Sequence, residues 1–253
     1  MLPDRGGAPH GKYGLRYVKQ LWQHKVVSYV LLLGSLALLA VYTITASMRL
    51  PPLGSASEVR RFTVTTTRAR CNDGSMPVFW WRRARPGFED KWAVMLEGGG
   101  QCSDEKSCSD RSLYMRSSRT CDSTRLLGGI FSQSEGNYIG NFNHVYIHYC
   151  SSDGWHGDRT DPWPTSSAGT RFFHGVRVID AVFETIMDAD SPLASSLGVL
   201  RPDHTVLFGG FSAGGRGAMV NADRVRRRFN LPRLRAFLDS PYYVHLPNYW
   251  LVE

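Results

Sequence analysis

The pentapeptide Gly210-Phe211-Ser212-Ala213-Gly214 has the form G-x-S-x-G. A serine in that frame can act as a nucleophile when it sits on a sharp turn between a strand and a helix, with its hydroxyl lifted clear of the backbone. The flanking sequence offers both elements. Thr205-Val206-Leu207-Phe208 is a short apolar run that reads as a buried strand, and a helical pattern occupies about 214–229. Glycines suit a turn where neighbouring backbone must come close. Ser212 would then stand at a helix N-terminus, where unpaired N–H groups and the dipole favour negative charge. The other reading of the same five residues is a glycine-rich turn whose serine caps the helix.

A second feature favours the nucleophile. Met95-Leu96-Glu97-Gly98-Gly99-Gly100-Gln101-Cys102 places three glycines directly after a predicted strand. In hydrolases built on a strand–turn–helix serine, a glycine loop after an early strand supplies one N–H to the oxyanion. The residue after the nucleophile, here Ala213, supplies the other. The chemistry implied is acyl transfer through a serine ester, with no metal and no organic cofactor.

These residues must be carried by a folded body, and the rest of the sequence supplies one. Short apolar runs at 62–67, 78–81, 92–96, 145–149 and 205–208 read as strands, and 234–238 as a last one. Residues 174–189 have helical spacing, with Val178, Val182 and Ile186 on one stripe and Ile179 and Phe183 beside it. Strand, helix, strand, helix, strand in the second half predicts an α/β fold with a mostly parallel sheet. Residues 98–141, rich in Gly, Ser, Asn and Arg, read as one long irregular stretch.

EGGGQC (97–102), YCSSDGW (149–155) and GGFSAGGRGAMVNADRV (209–225) resemble the pectin acetylesterase family, including its animal branch, Notum. CNDGS at 71–75, SSR at 117–119, GIFS at 129–132 and LDS at 238–240 extend the resemblance over about 70–240. The resemblance implies an α/β-hydrolase fold and a serine esterase that removes acyl groups, acetyl from pectin or palmitoleate from Wnt proteins. It implies Ser212 as nucleophile, Gly99, Gly100 and Ala213 as the oxyanion hole, and Asp153 and Trp155 as lining of the substrate cleft. The partner would be an acylated glycan or a lipidated protein. Two departures matter. The family's acid and base lie well beyond the serine, whereas this chain offers only Asp223, Asp239 and His245 after it. The expectation is a C-terminally incomplete sheet without the triad Asp and His, active or else a catalytically dead binding protein. Gly100 and Gln101 also stand where the family places an aromatic residue, which alters the acyl pocket.

Charge and hydropathy set the surroundings. The 253 residues carry a net charge of +8. Half of that excess lies in residues 1–25, where Arg5, Lys12, Arg16, Lys19 and Lys25 face Asp4 alone. No nucleic-acid motif accompanies the remainder, so nucleic acid is not an expected partner. Residues 26–48 form 23 positions without a charge, bounded by Lys25 and Arg49. As a helix they would extend roughly 34 Å, enough for a hydrocarbon core of about 30 Å. A core helix would show a polar stripe, and a signal peptide has a shorter apolar region of about 7–15 residues, although Ala46 and Ser47 would suit a cleavage site. The expected organisation is a cytoplasmic basic tail (1–25), a single signal-anchor helix (26–48), a Pro/Gly/Ser-rich linker (49–60) and a hydrolase body (61–253) in the lumen or outside the cell, a type II arrangement.

That compartment permits disulfides. Cys102 and Cys108 are spaced for a local bridge beside the glycine loop. Cys71 and Cys150, each near a strand, can pair across the fold, which leaves Cys121 over. His144, His148 and His156 lack the carboxylate or cysteine set of a metal site and read as structural. Arg224, Arg226, Arg227, Arg228, Arg233 and Arg235 read as a solvated face, with contact to an anionic polysaccharide as the alternative. Trp80, Trp81, Trp155 and Trp163 read as core or pocket wall.

Overall fold

The structure is a computed structural model that describes residues 33–35, 56–66, 68–164 and 170–241. All but three positions of the predicted membrane segment, most of the linker, and His245 lie outside the described residues. No helix among the described residues is long and apolar enough to cross a membrane. The chain divides into two units, Met1–Pro52 and Leu53–Glu253, and the elements below belong to the second.

In chain order these are β1 (Ser57–Thr63), β2 (Val78–Arg82), β3 (Lys91–Leu96), α1 (Glu105–Ser109), β4 (Thr124–Leu127), β5 (Asn143–Ile147), β6 (Trp163–Pro164), β7 (Thr170–Arg171), α2 (Gly175–Met187), α3 (Ala194–Leu197), β8 (Thr205–Phe211), α4 (Ala213–Arg228) and β9 (Leu234–Asp239). Seven strands form one sheet in the order β4-β1-β2-β5-β3-β8-β9, and β6 and β7 make a separate short ribbon. The pairings β5-β3, β3-β8 and β8-β9 are parallel, whereas β4-β1, β1-β2 and β2-β5 are antiparallel. The sheet is therefore mixed, and the expectation of a mostly parallel sheet holds only for its second half. The physical reason lies in the connections: antiparallel neighbours such as β1 and β2 need only a loop, while parallel strands need a long crossover of the kind that α2 and α4 supply.

The central strands are buried on both faces, so each alternates between two apolar layers. Trp92, Val94 and Leu96 of β3 and Val145 and Ile147 of β5 pack with Val178, Ile179, Val182, Phe183 and Ile186 of α2. Ala93, Met95 and Tyr146 point to the other layer, built with Trp80, Leu127, Phe131 and Phe142. The stretch 98–141 that reads as irregular thus contributes Cys121, Leu127 and Phe131 to one apolar layer of the sheet, and it contains the four-residue strand β4. β1 begins at Ser57, so Ser57–Arg60, assigned above to the linker, form part of the sheet.

Helix α4 opens Ala-Gly-Gly-Arg-Gly, a composition that disfavours helix by about 1 kcal/mol per glycine. Packing explains the choice. A Cβ on Gly217 would come within 2.6 Å of the Trp155 ring, and one on Gly215 within 2.7 Å of the Asp239 carbonyl oxygen. The arginine run is used to join helices: Arg224 bonds Asp180 at 2.6 Å, and Arg228 reaches Asp180 at 3.3 Å and Glu184 at 3.1 Å, tying α4 to α2.

Gly217→Ala should therefore lower stability despite its better helix propensity. A gain of about 1 kcal/mol is opposed by an overpacking cost of about 1–3 kcal/mol. Thermal unfolding should shift down by a few degrees relative to wild type, with Arg227→Ala on the exposed face as an unshifted control. An unchanged or raised midpoint for Gly217→Ala would contradict the close contact.

Candidate active site

Ser212 joins β8 to α4 with φ 54° and ψ −122°, a positive φ that non-glycine residues seldom adopt. The turn is held on both sides. The Ser212 N–H donates to the Asp239 carbonyl at 2.9 Å, and the Ser212 carbonyl accepts from the Arg216 N–H at 3.0 Å. Gly210 and Gly214 face the end of β3 at van der Waals limits. A Cβ on Gly210 would lie 2.6 Å from the Leu96 carbonyl oxygen, and one on Gly214 would collide with the same atom. Ser212 is exposed and its side chain makes no capping hydrogen bond, so the helix-cap reading fails. Ala213, buried behind it, begins the helix, and its N–H has no intrahelical acceptor.

The glycine loop starts beside this turn because β3 and β8 run parallel in register, Leu96 opposite Gly210. A Cβ on Gly98 would lie 2.7 Å from the Phe211 carbonyl oxygen. Gly99 and Gly100 have φ +150° and +67°, backbone that favours glycine, and Gly99 also lies under Met115 and Tyr149. Arg111 Nη1 donates to the Gly99 carbonyl at 2.6 Å and Arg111 Nε to Ser152 Oγ at 3.2 Å. Arg216 Nη2 donates to Gln101 Oε1 at 3.1 Å, a direct link from α4 to the loop. Ser212, Ala213 and the glycine loop are thus brought to the same ends of two adjacent strands, as the sequence reading requires.

Asp153 and Trp155 do not line a cleft. Trp155 is fully buried, and its Nε1–H donates to the Glu97 carbonyl at 3.1 Å. The Asp153 carboxylate is consumed inside the fold, accepting from Ser151 Oγ, the Trp155 N–H and the Gly175 N–H at 2.7–3.0 Å. Burial pushes its carboxyl up against those bonds. The pair pins a turn in which Ser152 and Trp155 have positive φ, and positions α2. Of the later acid candidates, Asp223 is exposed on α4, and Asp239 accepts from Ser240 Oγ at 2.9 Å. Among the described residues none hydrogen-bonds to the Ser212 hydroxyl. Both expected disulfides are present, Cys71–Cys150 and Cys102–Cys108, and Cys121 is free and buried. No group of three potential metal ligands exists among the described residues. Trp80 and Trp155 lie in the core, Trp81 is half-buried beside it, and Trp163 is about half exposed at the wall of a cavity next to the Cys102–Cys108 bridge.

Sequence reasoning missed a buried charge network under the glycine loop. Glu97 Oε1 accepts from Tyr114 Oη at 2.7 Å and Arg125 Nη1 at 2.8 Å. Its Oε2 accepts from His148 Nδ1 at 2.8 Å and the Tyr149 N–H at 3.0 Å. His148 is wholly buried and its Nε2 faces the Ser117 carbonyl at 3.1 Å. A carbonyl only accepts, so both ring nitrogens carry protons and the ring is a cation. Burial alone would lower its pKa, but hydrogen bonds to Cys121 and Glu97 and the Glu97 charge hold it at about 9. Burial alone would raise the Glu97 carboxyl; the His148 bond and charge, Arg125 and the Tyr149 N–H hold it at about 2. Arg125 also lies over the rings of Trp80 and Tyr146, each 5.1 Å away. The legible signal was a charged residue at the end of an apolar strand, which must be paired if buried. His144, on the same face, has no such partner, and burial and Arg82 push it down to about 4.

The network predicts a pH window for stability. His148, with a raised pKa, contributes fully below its unfolded value of about 6.5, and the contribution is lost as pH rises through about 9. Glu97, with a lowered pKa, contributes fully above about 4.5, and the contribution is lost as pH falls toward 2. Buried His144, pushed down to about 4, works the other way and loses its contribution as pH falls below about 6.5, so urea midpoints should be highest near pH 6.5 and fall steadily toward pH 9.5. A midpoint flat from pH 6.5 to 9.5 would contradict the charged His148–Glu97 pair.

The family model for pectinacetylesterase matches residues 56–252. A palmitoleoyl-protein carboxylesterase Notum of Schmidtea mediterranea is 34% identical over 194 residues, 73% of this chain and 34% of that protein. The human Notum is 30% identical over 202 residues, 76% of this chain and 38% of its own length. Pectin acetylesterase 11 of Arabidopsis thaliana is 25% identical over 237 residues, 91% of this chain and 52% of its own. The crystal structure of the Wnt deacylase Notum from Drosophila, at 34% identity, superposes with a TM-score of 0.63 over 74% of this chain and 54% of that one. The chain thus spans about a quarter to a half of the length of the curated relatives it matches. With a family model that covers most of the chain and relatives at 30% identity or more, this chain belongs to the pectinacetylesterase family.

Proposed function

We propose that this chain carries the nucleophile and the oxyanion-binding part of a serine carboxylesterase site. Ser212 Oγ attacks an ester carbonyl and gives its proton to a base. The oxygen of the tetrahedral intermediate accepts hydrogen bonds from the Ala213 N–H and from the Gly99–Gly100 turn. Collapse expels the alcohol with a proton and leaves an acyl-serine, which water then hydrolyses to the free acid. No metal or organic cofactor enters this scheme. The observation that carries it is the Ser212 turn itself: a non-glycine residue at φ 54°, its hydroxyl exposed and uncommitted, beside a loop of three glycines. Such a backbone costs of order 1–3 kcal/mol and persists where surrounding contacts over-determine it. We place the acid and base of the site outside the described residues.

The substrate is an O-acyl ester, acetyl or fatty acyl, on a glycan or a lipid-modified protein. The names of the relatives support this class, since they include both a pectin acetylesterase and palmitoleoyl-protein carboxylesterases. Residues 26–48 support a type II anchor with the body in the lumen or outside the cell, and the two disulfides fit an oxidising compartment. The free Ser212 hydroxyl also supports a second reading, in which the family fold binds an acylated partner without turning it over.

Fluorophosphonate labelling of the full chain, followed by hydrolysis of p-nitrophenyl acetate, separates the two. The esterase reading expects labelling that is lost in Ser212→Ala, with esterase rate falling at least about a thousandfold. Folded protein that neither labels nor hydrolyses would remove the esterase reading and leave binding.

A further inference from the structure

Glu97 occupies the position where β3 stops being a strand. Its backbone N–H still continues the parallel ladder, donating to the Ile147 carbonyl at 3.1 Å. In an unbroken ladder its carbonyl would accept the next bond from the neighbouring strand, the Tyr149 N–H. The structure shows a substitution instead. The Tyr149 N–H goes to the Glu97 side chain, Oε2 at 3.0 Å, and the Glu97 carbonyl turns away to accept from Trp155 Nε1 at 3.1 Å. The carboxylate stands in for its own carbonyl. That exchange satisfies the Tyr149 donor while the main chain leaves the sheet and enters Gly98-Gly99-Gly100.

A flexible glutamate can do this only if something fixes its carboxylate, and all of its remaining bonding capacity is spent for that purpose. His148 comes from the end of β5, Arg125 from the edge strand β4, and Tyr114 from the covering loop. Arg125 is itself fixed by Tyr114 Oη and by the Trp80 and Tyr146 rings. None of these four groups touches Ser212.

We propose that Glu97 is the positioning residue of the oxyanion loop: His148, Arg125 and Tyr114 lock its carboxylate, and the locked carboxylate sets the exit of the backbone from β3, and hence the direction of the Gly99 and Gly100 N–H groups. The catalytic consequence rests on the esterase reading above; the loop-setting role does not. An oxyanion donor acts more strongly in the transition state than in the ground state, so loss of its alignment lowers kcat and leaves KM nearly unchanged.

The test uses the full chain and Glu97→Gln, which preserves volume and removes one acceptor oxygen. Two readouts are taken. Hydrogen–deuterium exchange of the peptide covering 97–102 should accelerate at least about tenfold in Glu97→Gln, while peptides of α2 and β8 stay at the wild-type rate. With p-nitrophenyl acetate, kcat should fall about 10–100-fold with KM within about twofold, in line with partial loss of an oxyanion donor. Tyr114→Phe, which removes the hydroxyl that donates to Glu97 and accepts from Arg125 at a half-buried site, provides the same pair of readouts if Glu97→Gln does not fold, with a kcat loss of at least about fivefold. Unchanged exchange at 97–102, or acceleration spread evenly over the sheet, would overturn the proposal. Wild-type protein without Ser212-dependent hydrolysis would remove the esterase reading, and the exchange result would still decide the role of Glu97.

Discussion

The site depends on one close approach, that of the Leu96 carbonyl at the end of β3 to the backbone of the β8–α4 turn. Gly210 and Gly214 both meet that oxygen at distances no side chain would permit. Because they do, the turn can be sharp enough to hold Ser212 at φ 54° and to start a helix immediately after it. The same contact places the segment that follows Leu96 against Phe211, so the glycine loop and the serine share one corner of the sheet. The G-x-S-x-G pattern and the Gly-Gly-Gly run are thus two sides of a single packing problem.

Strain at that corner is offset from below and behind. Trp155, fully buried, fills the space that Gly217 leaves in α4 and donates its indole N–H to the Glu97 carbonyl where that carbonyl turns out of the ladder. Asp153 holds Trp155 in its positive-φ backbone and reaches the first N–H of α2. On the opposite face, the four-membered group of Glu97, His148, Arg125 and Tyr114 ties three strands to the covering loop. Buried ion pairs of this kind add little net stability against an apolar alternative, and their removal one partner at a time is costly. Their value here is geometric: they fix where β3 ends.

Much of this was legible in the sequence, and the failures have physical reasons. The serine turn, the glycine loop, α2, α4, the central strands and the Cys102–Cys108 bridge follow from local pattern and spacing, whereas Cys71 and Cys150, 79 residues apart, were open to pairing only because each lies near a strand. β4 did not, because four residues on a sheet edge, Thr-Arg-Leu-Leu, show no usable alternation. The antiparallel half of the sheet was hidden because strand direction is set by connections and neighbours rather than by residue type. Asp153 and Trp155 look like cleft residues in a Gly-rich segment after a strand, yet burial and internal bonds consume both. Glu97 could be seen as a charge at a strand end, but the partners of its carboxylate lie 17 to 52 residues away in sequence, beyond the reach of local periodicity.

The central proposal is that Ser212, Ala213 and the glycine loop, which share one corner of the sheet, bind an oxyanion there. A crystal structure of the full chain reacted with a phosphonate ester tests it most directly. The account predicts a phosphorus bond to Ser212 Oγ, with the phosphoryl oxygen about 2.7–3.1 Å from the Ala213 N and from the Gly99 or Gly100 N. A phosphoryl oxygen directed away from both amide groups, or an adduct on another residue with Ser212 unmodified, would contradict it.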